Sequence, residues 1–152
     1  PVLTNDPPFE QMLAINNYWE GVGGQNFLPG SVKSPDRFTR ASFFDKHVDK
    51  TNDLNEGLAI IRSILNNVSV PFKYNLGDKN LSSTQWRSFA NLRDKTYYFE
   101  NVNDLGLYYI DLKKCDLRPG ASVMKLDTQK ATEYVGDVTS KLVKTKPFTP
   151  MY

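Results

Sequence analysis

A single cysteine, Cys115, and a single histidine, His47, are the whole supply of those residue types in this chain. One thiol excludes an internal disulfide framework and a cysteine-rich metal site. One imidazole builds no zinc centre of histidines, and no serine, histidine and aspartate triad of recognisable form stands around it. No apolar run approaches the roughly 20 residues of a membrane-spanning helix, and the start Pro1-Val2-Leu3-Thr4 has none of the parts of a secretory signal. A charge of one sign is missing too. With 19 basic and 17 acidic residues the formal net charge is +2, which gives no broad basic face, so neither nucleic acid nor a membrane is called for as a partner. There is no internal repeat, low-complexity tract or domain linker.

What is present suits a packed fold. At 39% hydrophobic and 12% aromatic, 152 residues supply one domain or half of a larger one. Phe9, Met12, Leu13, Asn16 and Trp19 have helical spacing and predict an amphipathic helix over 7–20, with its apolar residues in the core. Phe38, Ala41, Phe44 and Val48 predict a second over 35–48. Asp6 before Pro7 and Ser34 before Pro35 each read as a capping side chain followed by a proline at the first helical position. Asp36 is placed to pair with Arg40 one turn on. His47, near that helix's C-terminus, has a structural or surface role. Leu54, Leu58, Ile61, Leu65 and Val68 mark a third helix, introduced by a variant capping box of Asp53 and Glu56; it is a packing element. Pro71 ends it, and 75–80 reads as a loop.

From Ser83 the period shortens towards two. Strands are predicted over 84–90, 96–102 and 107–112, the last two a hairpin turning at Asn103-Asp104 or Gly106. Both faces of Tyr97-Tyr98-Phe99 and Tyr108-Tyr109-Ile110 are apolar or aromatic, so these strands are expected to be covered on both sides. Another strand follows over 121–126. In the tail, Ala131, Val135, Val138 and Leu142 allow a helix from a Thr128 cap, whereas Gly136-Asp137, Pro147 and Pro150 allow an irregular return segment.

Two polar residues stand beside the proline-marked turns. Arg37 puts a cation in the first turn of a helix, against the positive end of the macrodipole, at a cost of a few tenths of a kcal/mol. It is either a solvated surface arginine or a functional one. Asn5, on its own evidence, is by default a structural asparagine bonding its local backbone. Gly21, Gly23, Gly24 and Gly30 are too loosely spaced, with no following Lys-Ser or Lys-Thr, to cradle phosphate.

The segment Thr4-Asn5-Asp6-Pro7-Pro8-Phe9, followed by Leu28-Pro29-Gly30 and then by Ser34, Arg37-Phe38, Arg40-Ala41 and Phe43, resembles the choloylglycine hydrolase family, which includes conjugated bile acid hydrolases and penicillin V acylases. Thr84-Gln85-Trp86, Asp94-Lys95-Thr96-Tyr97-Tyr98 and Asp111-Leu112 follow the same family's order. The resemblance implies an α+β fold, the C-terminal half of an αββα N-terminal nucleophile hydrolase sandwich: two stacked antiparallel sheets between helical layers. It makes 1–152 the C-terminal part of one domain, whose N-terminal half is the first partner to expect. In that family the nucleophile is a cysteine at the mature N-terminus, its own α-amine serving as base. This chain begins with Pro1, and Cys115 matches no catalytic position, so the chain alone is expected to be inactive.

The same resemblance puts Asn5 in the oxyanion hole and Arg37 beside the nucleophile as the catalytic residues carried here. Gln25, Asn26, Phe27 and Leu28 are expected to line the substrate pocket. The implied reaction is hydrolysis of a small-molecule linear amide, a conjugated bile acid or a penicillin V type, through a thioester, without metal or organic cofactor. A homo-oligomer is implied as well. The short link between the first helix and Leu28-Pro29-Gly30 points by analogy to the Gram-negative branch and a periplasmic location, with a cytoplasmic one as the alternative. A reading from a different class also stands: a self-contained, aromatic-rich binding domain with no enzymatic role.

Overall fold

A computed structural model describes residues 2–75, 77 and 83–150, apart from the side chains of 130–132. The chain forms two compact units, Pro1–Ser83 and Thr84–Tyr152. Together they make an α+β protein, helical in the first unit and built on sheets in the second.

In the first unit, α1 (Phe9–Gly21) leads through a 3-10 turn (Gly24–Phe27) to α2 (Ser34–His47), and α3 (Leu54–Val68) follows. The start of α1 differs from the expected Asp6 cap. Pro7 precedes a second proline, and a residue before proline is held out of helical geometry, so the helix begins only after Pro8. The Pro8 carbonyl takes the first amides, from Gln11 at 3.0 Å and Met12 at 3.1 Å. In α2 the cap position falls on Lys33, with Ser34 already inside the helix and Pro35 next, where a missing N–H is harmless.

Met12, Phe38 and Ala41 form the buried seam between α1 and α2, with Phe9 edge-on to Phe38 at 6.2 Å. Phe9 and Leu13 lie at the border and are about two-fifths exposed, unlike the fully buried face expected of them. Glu20, near the end of α1, pairs with Lys46 near the end of α2, and that ammonium holds its carboxyl below the usual range.

The capping box of α3 is relayed. Asp53 accepts from the Glu56 amide at 2.9 Å, Glu56 accepts from the Thr51 hydroxyl at 2.6 Å, and Thr51 accepts from the Asp53 amide at 3.0 Å. The apolar stripe of α3 is only half-buried, with Leu54 and Ile61 exposed. Part of the expected loop over 75–80 lies outside the described residues. No helix among the described residues is long and apolar enough to cross a membrane.

In the second unit, β1 (Trp86–Asn91), β2 (Thr96–Asn101) and β3 (Tyr108–Asp111) are antiparallel, and β5 (Gly136–Asp137) joins β3 in parallel. A separate pair is made by β4 (Met124–Lys125) and β6 (Val143–Lys144). The register sets Tyr98 opposite Phe89 and Tyr109, and Phe99 opposite Ser88 and Tyr108. Because side chains alternate along a strand, two aromatic ladders result. Trp86, Phe99, Tyr108 and Tyr134 follow one another at 5.5, 5.6 and 5.4 Å on one face, and Phe89, Tyr98 and Tyr109 at 5.2 and 5.3 Å on the other. Buried residues occur on both faces, as expected, although Trp86 and Tyr97 remain open.

The tail takes the irregular course. Gly136 sits at φ +72°, in the left-handed region, where a continuing helix is interrupted. Val138 then packs against Tyr108, while Val135 is exposed. Gly106 permits this return: a Cβ there would lie 2.2 Å from the Tyr134 carbonyl oxygen.

Candidate active site

The segment before α1 is fastened to the start of α2. The Thr4 hydroxyl donates to the Ser34 carbonyl at 3.1 Å, and the Asp6 amide donates to the Ser34 hydroxyl at 3.1 Å. Between them stands Asn5, exposed. Its Oδ1 accepts from Nη2 of Arg37 at 3.0 Å, and Nε of the same guanidinium donates to the Val32 carbonyl at 3.0 Å.

This contact decides the orientation of the amide. A guanidinium has donors only, so the atom facing it must be the Asn5 oxygen, which turns Nδ2 and its two hydrogens away from Arg37. Among the described residues nothing accepts from that nitrogen. The result is an exposed amide donor beside a permanent cation, a pair suited to an oxygen or sulfur that carries negative charge. The bond also gives Arg37 a local reason for its place: its side chain reaches back over the start of the helix to two oxygens.

Arg40 lies on the same helix and holds the preceding turn. Its Nη1 donates to the carbonyls of Pro29 at 2.6 Å and Ser31 at 2.8 Å, and its Nε to that of Asn67 at 3.2 Å. Burial draws its pKa below the ordinary guanidinium value, while Asp36 acts in the opposite sense through its field. The Asp36 carboxylate itself accepts from the Ser31 amide at 3.2 Å. The expected hydrogen-bonded pair of Asp36 and Arg40 is therefore replaced by three bonds to one loop, two from Arg40 to the Pro29 and Ser31 carbonyls and one from the Ser31 amide to Asp36. An arginine ten residues after Leu28-Pro29-Gly30, inside the following helix, is the sequence signal for this clamp.

Gln25, Asn26 and Phe27 lie on the 3-10 turn and are exposed, and Leu28 after it is half-buried. Gly23, at φ +126°, lets the Phe27 ring approach; a Cβ there would be 2.9 Å from Cδ2 of that ring. No hydrogen bond among the described residues links these four to Asn5 or Arg37. They are tied to the same helix indirectly, through Arg40 and the Pro29 carbonyl.

The remaining reactive side chains have local roles. His47 is stacked on Phe43 at 4.1 Å, with Nδ1 2.7 Å from the Phe43 carbonyl. Cys115, half-buried at the end of a 3-10 turn (Leu112–Lys114), lies 3.7 Å from the Asp111 carbonyl and borders an apolar cavity of about 570 Å³ with Leu117, Met124 and Leu142. A pair not visible in the sequence is that of Arg87 and Glu100, directly opposite each other on β1 and β2 at 3.2 Å and both well covered.

Residues 13–134 match the family of linear amide C-N hydrolases described as the choloylglycine hydrolase family. Arg37 falls inside that range and Asn5 before it. The chain is 37% identical to the penicillin V acylase of Pectobacterium atrosepticum over 97% of its own length and 43% of that protein. The solved structure of the penicillin V acylase from Agrobacterium tumefaciens superposes with a TM-score of 0.87 at 37% identity, over 98% of this chain and 48% of that one. A mutant of the conjugated bile acid hydrolase from Clostridium perfringens gives 0.60 at 26% identity, over 75% of this chain and 41% of that one. The chain thus spans less than half the length of each of these relatives.

Proposed function

The chain belongs to the choloylglycine hydrolase family of linear amide C-N hydrolases, and from that membership we propose that the full-length protein hydrolyses a linear amide, with Asn5 and Arg37 in its active site. The observation that carries the proposal is the 3.0 Å bond by which Arg37 turns the Asn5 amide outward as a donor.

A cysteine at the head of the mature protein, its proton taken by its own α-amine, attacks the amide carbon. The carbonyl oxygen becomes negative, and Nδ2 of Asn5 donates to it, a contribution of about 3 kcal/mol in sites of this kind. The C–N bond then breaks, and the amine departs with the proton from the α-amine, leaving a thioester. Water adds to the thioester, gives its proton back through the same base, and releases the acid and the thiol. Arg37 keeps the sulfur in its thiolate form before attack. Cys115 takes no part, and this chain alone is inactive.

Penicillin V is the preferred substrate class, because the likeness to penicillin V acylases is both closer and more extensive than that to the conjugated bile acid hydrolase. Gln25, Asn26, Phe27 and Leu28 border the pocket in this reading. Assembly as a homo-oligomer and export to the periplasm belong to the same proposal and rest on the family likeness. The test is release of free amine from penicillin V and from a conjugated bile acid by the full-length protein. Faster release from penicillin V is expected; release from neither overturns the proposal.

A further inference from the structure

Ser34 is bonded to both neighbours of Asn5, and we infer that Ser34, together with Thr4, is a positioning residue that sets where the Asn5 amide stands. The inference rests on the role proposed above for Asn5.

The hydroxyl and the carbonyl of Ser34 face the same segment. One accepts from the Asp6 amide and the other from the Thr4 hydroxyl, each at 3.1 Å. Ser34 is 6% exposed, so its own end of each of these part-buried bonds is covered from competing water. Its hydroxyl is not serving its own helix. The position before α2 is held by Lys33 without any side-chain cap, and the Ser34 oxygen is turned to a partner 28 residues away.

Arg37 alone fixes which end of the Asn5 amide looks outward, but a single bond is a pivot and leaves the backbone free to slide. A donor works only within about 2.7–3.1 Å of the oxygen it stabilises, and a displacement of about 1 Å caused by a remote group lowers rates by roughly a hundredfold. Tethers at residues 4 and 6 remove that freedom. Both tethers and the Arg37 bond come from one helix start, so any shift of α2 carries the amide and the guanidinium together. Their mutual geometry is preserved by construction.

The experiment uses the full-length protein with penicillin V as probe. Ser34→Ala, Thr4→Val and Thr4→Ser are each made alone and combined with Asn5→Ala, and the melting temperature is recorded for each. Ser34→Ala and Thr4→Val are expected to lower kcat about tenfold with KM within about twofold, the pattern of an interaction felt in the transition state. Thr4→Ser, which keeps the hydroxyl, is expected to restore turnover. In the Asn5→Ala background the same changes should cost less than about twofold more, since the group they position is gone. A full tenfold loss persisting in that background, or wild-type turnover by both single variants, overturns the inference. Wild-type turnover by Asn5→Ala removes the assignment beneath it and is recognised separately. If Ser34→Ala does not fold, Thr4→Val decides alone, because it removes one half-buried hydroxyl at nearly constant volume.

Discussion

Arg37 donates through Nη2 to Oδ1 of Asn5 across 3.0 Å, joining two residues that lie 32 positions apart. Since the guanidinium has no acceptor, the bond fixes the amide with its nitrogen outward. One contact thus gives a cation and an oriented donor to the same small volume, the cation from the first turn of α2 and the donor from the segment before α1.

Replacing Asn5 by Ala in the full-length protein removes that donor and leaves Arg37 bound to Val32. Turnover of penicillin V is expected to fall by about 10²–10³, the usual loss for one oxyanion donor, with little change in KM. Steady-state kinetics of the variant check this. A rise in KM at unchanged kcat would make Asn5 a substrate-binding residue only.

Two duties are proposed for Arg37, which Lys and Ala separate. Arg37→Ala loses the charge and is expected to raise the pKa of the nucleophilic thiol, shifting the pH dependence of its alkylation upward. Arg37→Lys keeps the charge but cannot bridge the Val32 carbonyl and Asn5 as a fork does. Its alkylation profile should stay near that of the wild type while kcat falls. Identical profiles for Ala and wild type would reject the electrostatic duty.

Arg40 holds three backbone carbonyls, so Arg40→Ala is expected to destabilise by about 2–4 kcal/mol, read from the urea midpoint of the full-length protein. Lys at this position restores charge but only part of the bonding. Because the turn that it holds follows directly on Gln25, Asn26, Phe27 and Leu28, the residues proposed to border the pocket, the KM for penicillin V should rise as well.

Tyr108 is buried, no partner for its hydroxyl is present among the described residues, and burial pushes its pKa up to about 12. An unfolded tyrosine ionises near 10. Between about pH 10 and 12 the unfolded chain therefore binds fewer protons than the folded one, and stability falls as pH rises through that window. Tyr108→Phe should flatten the fall in melting temperature between about pH 9.5 and 11.5. Equal slopes for the two proteins would show that this side chain is not the cause.

The elements read from periodicity appear where apolar spacing is strong, as with Phe38 and Ala41 on α2 or the paired strands around Tyr98 and Tyr108. Local rules fail where a distant partner competes. The helical pair rule assigns Asp36 to Arg40, yet both turn to the Pro29–Ser31 loop. The capping rule assigns Ser34 to its own helix, yet its hydroxyl meets Asp6. In the tail the spacing of Val135, Val138 and Leu142 allows a helix that Gly136, in the left-handed region, does not continue. Asn5 and Arg37 are ambiguous one at a time. The roles proposed for them rest on the family resemblance, and the bond between them belongs to tertiary structure that no local pattern encodes.

Asn5→Asp tests the central claim most directly. Aspartate matches the amide in shape and would hold Arg37 more strongly, but an ionised carboxylate only accepts and repels a developing oxyanion. The full-length Asn5→Asp protein is predicted to lose about 10² or more in kcat on penicillin V with its fold and melting temperature retained. Turnover equal to that of the wild type would contradict the account, because it would show that Asn5 serves only to bind Arg37.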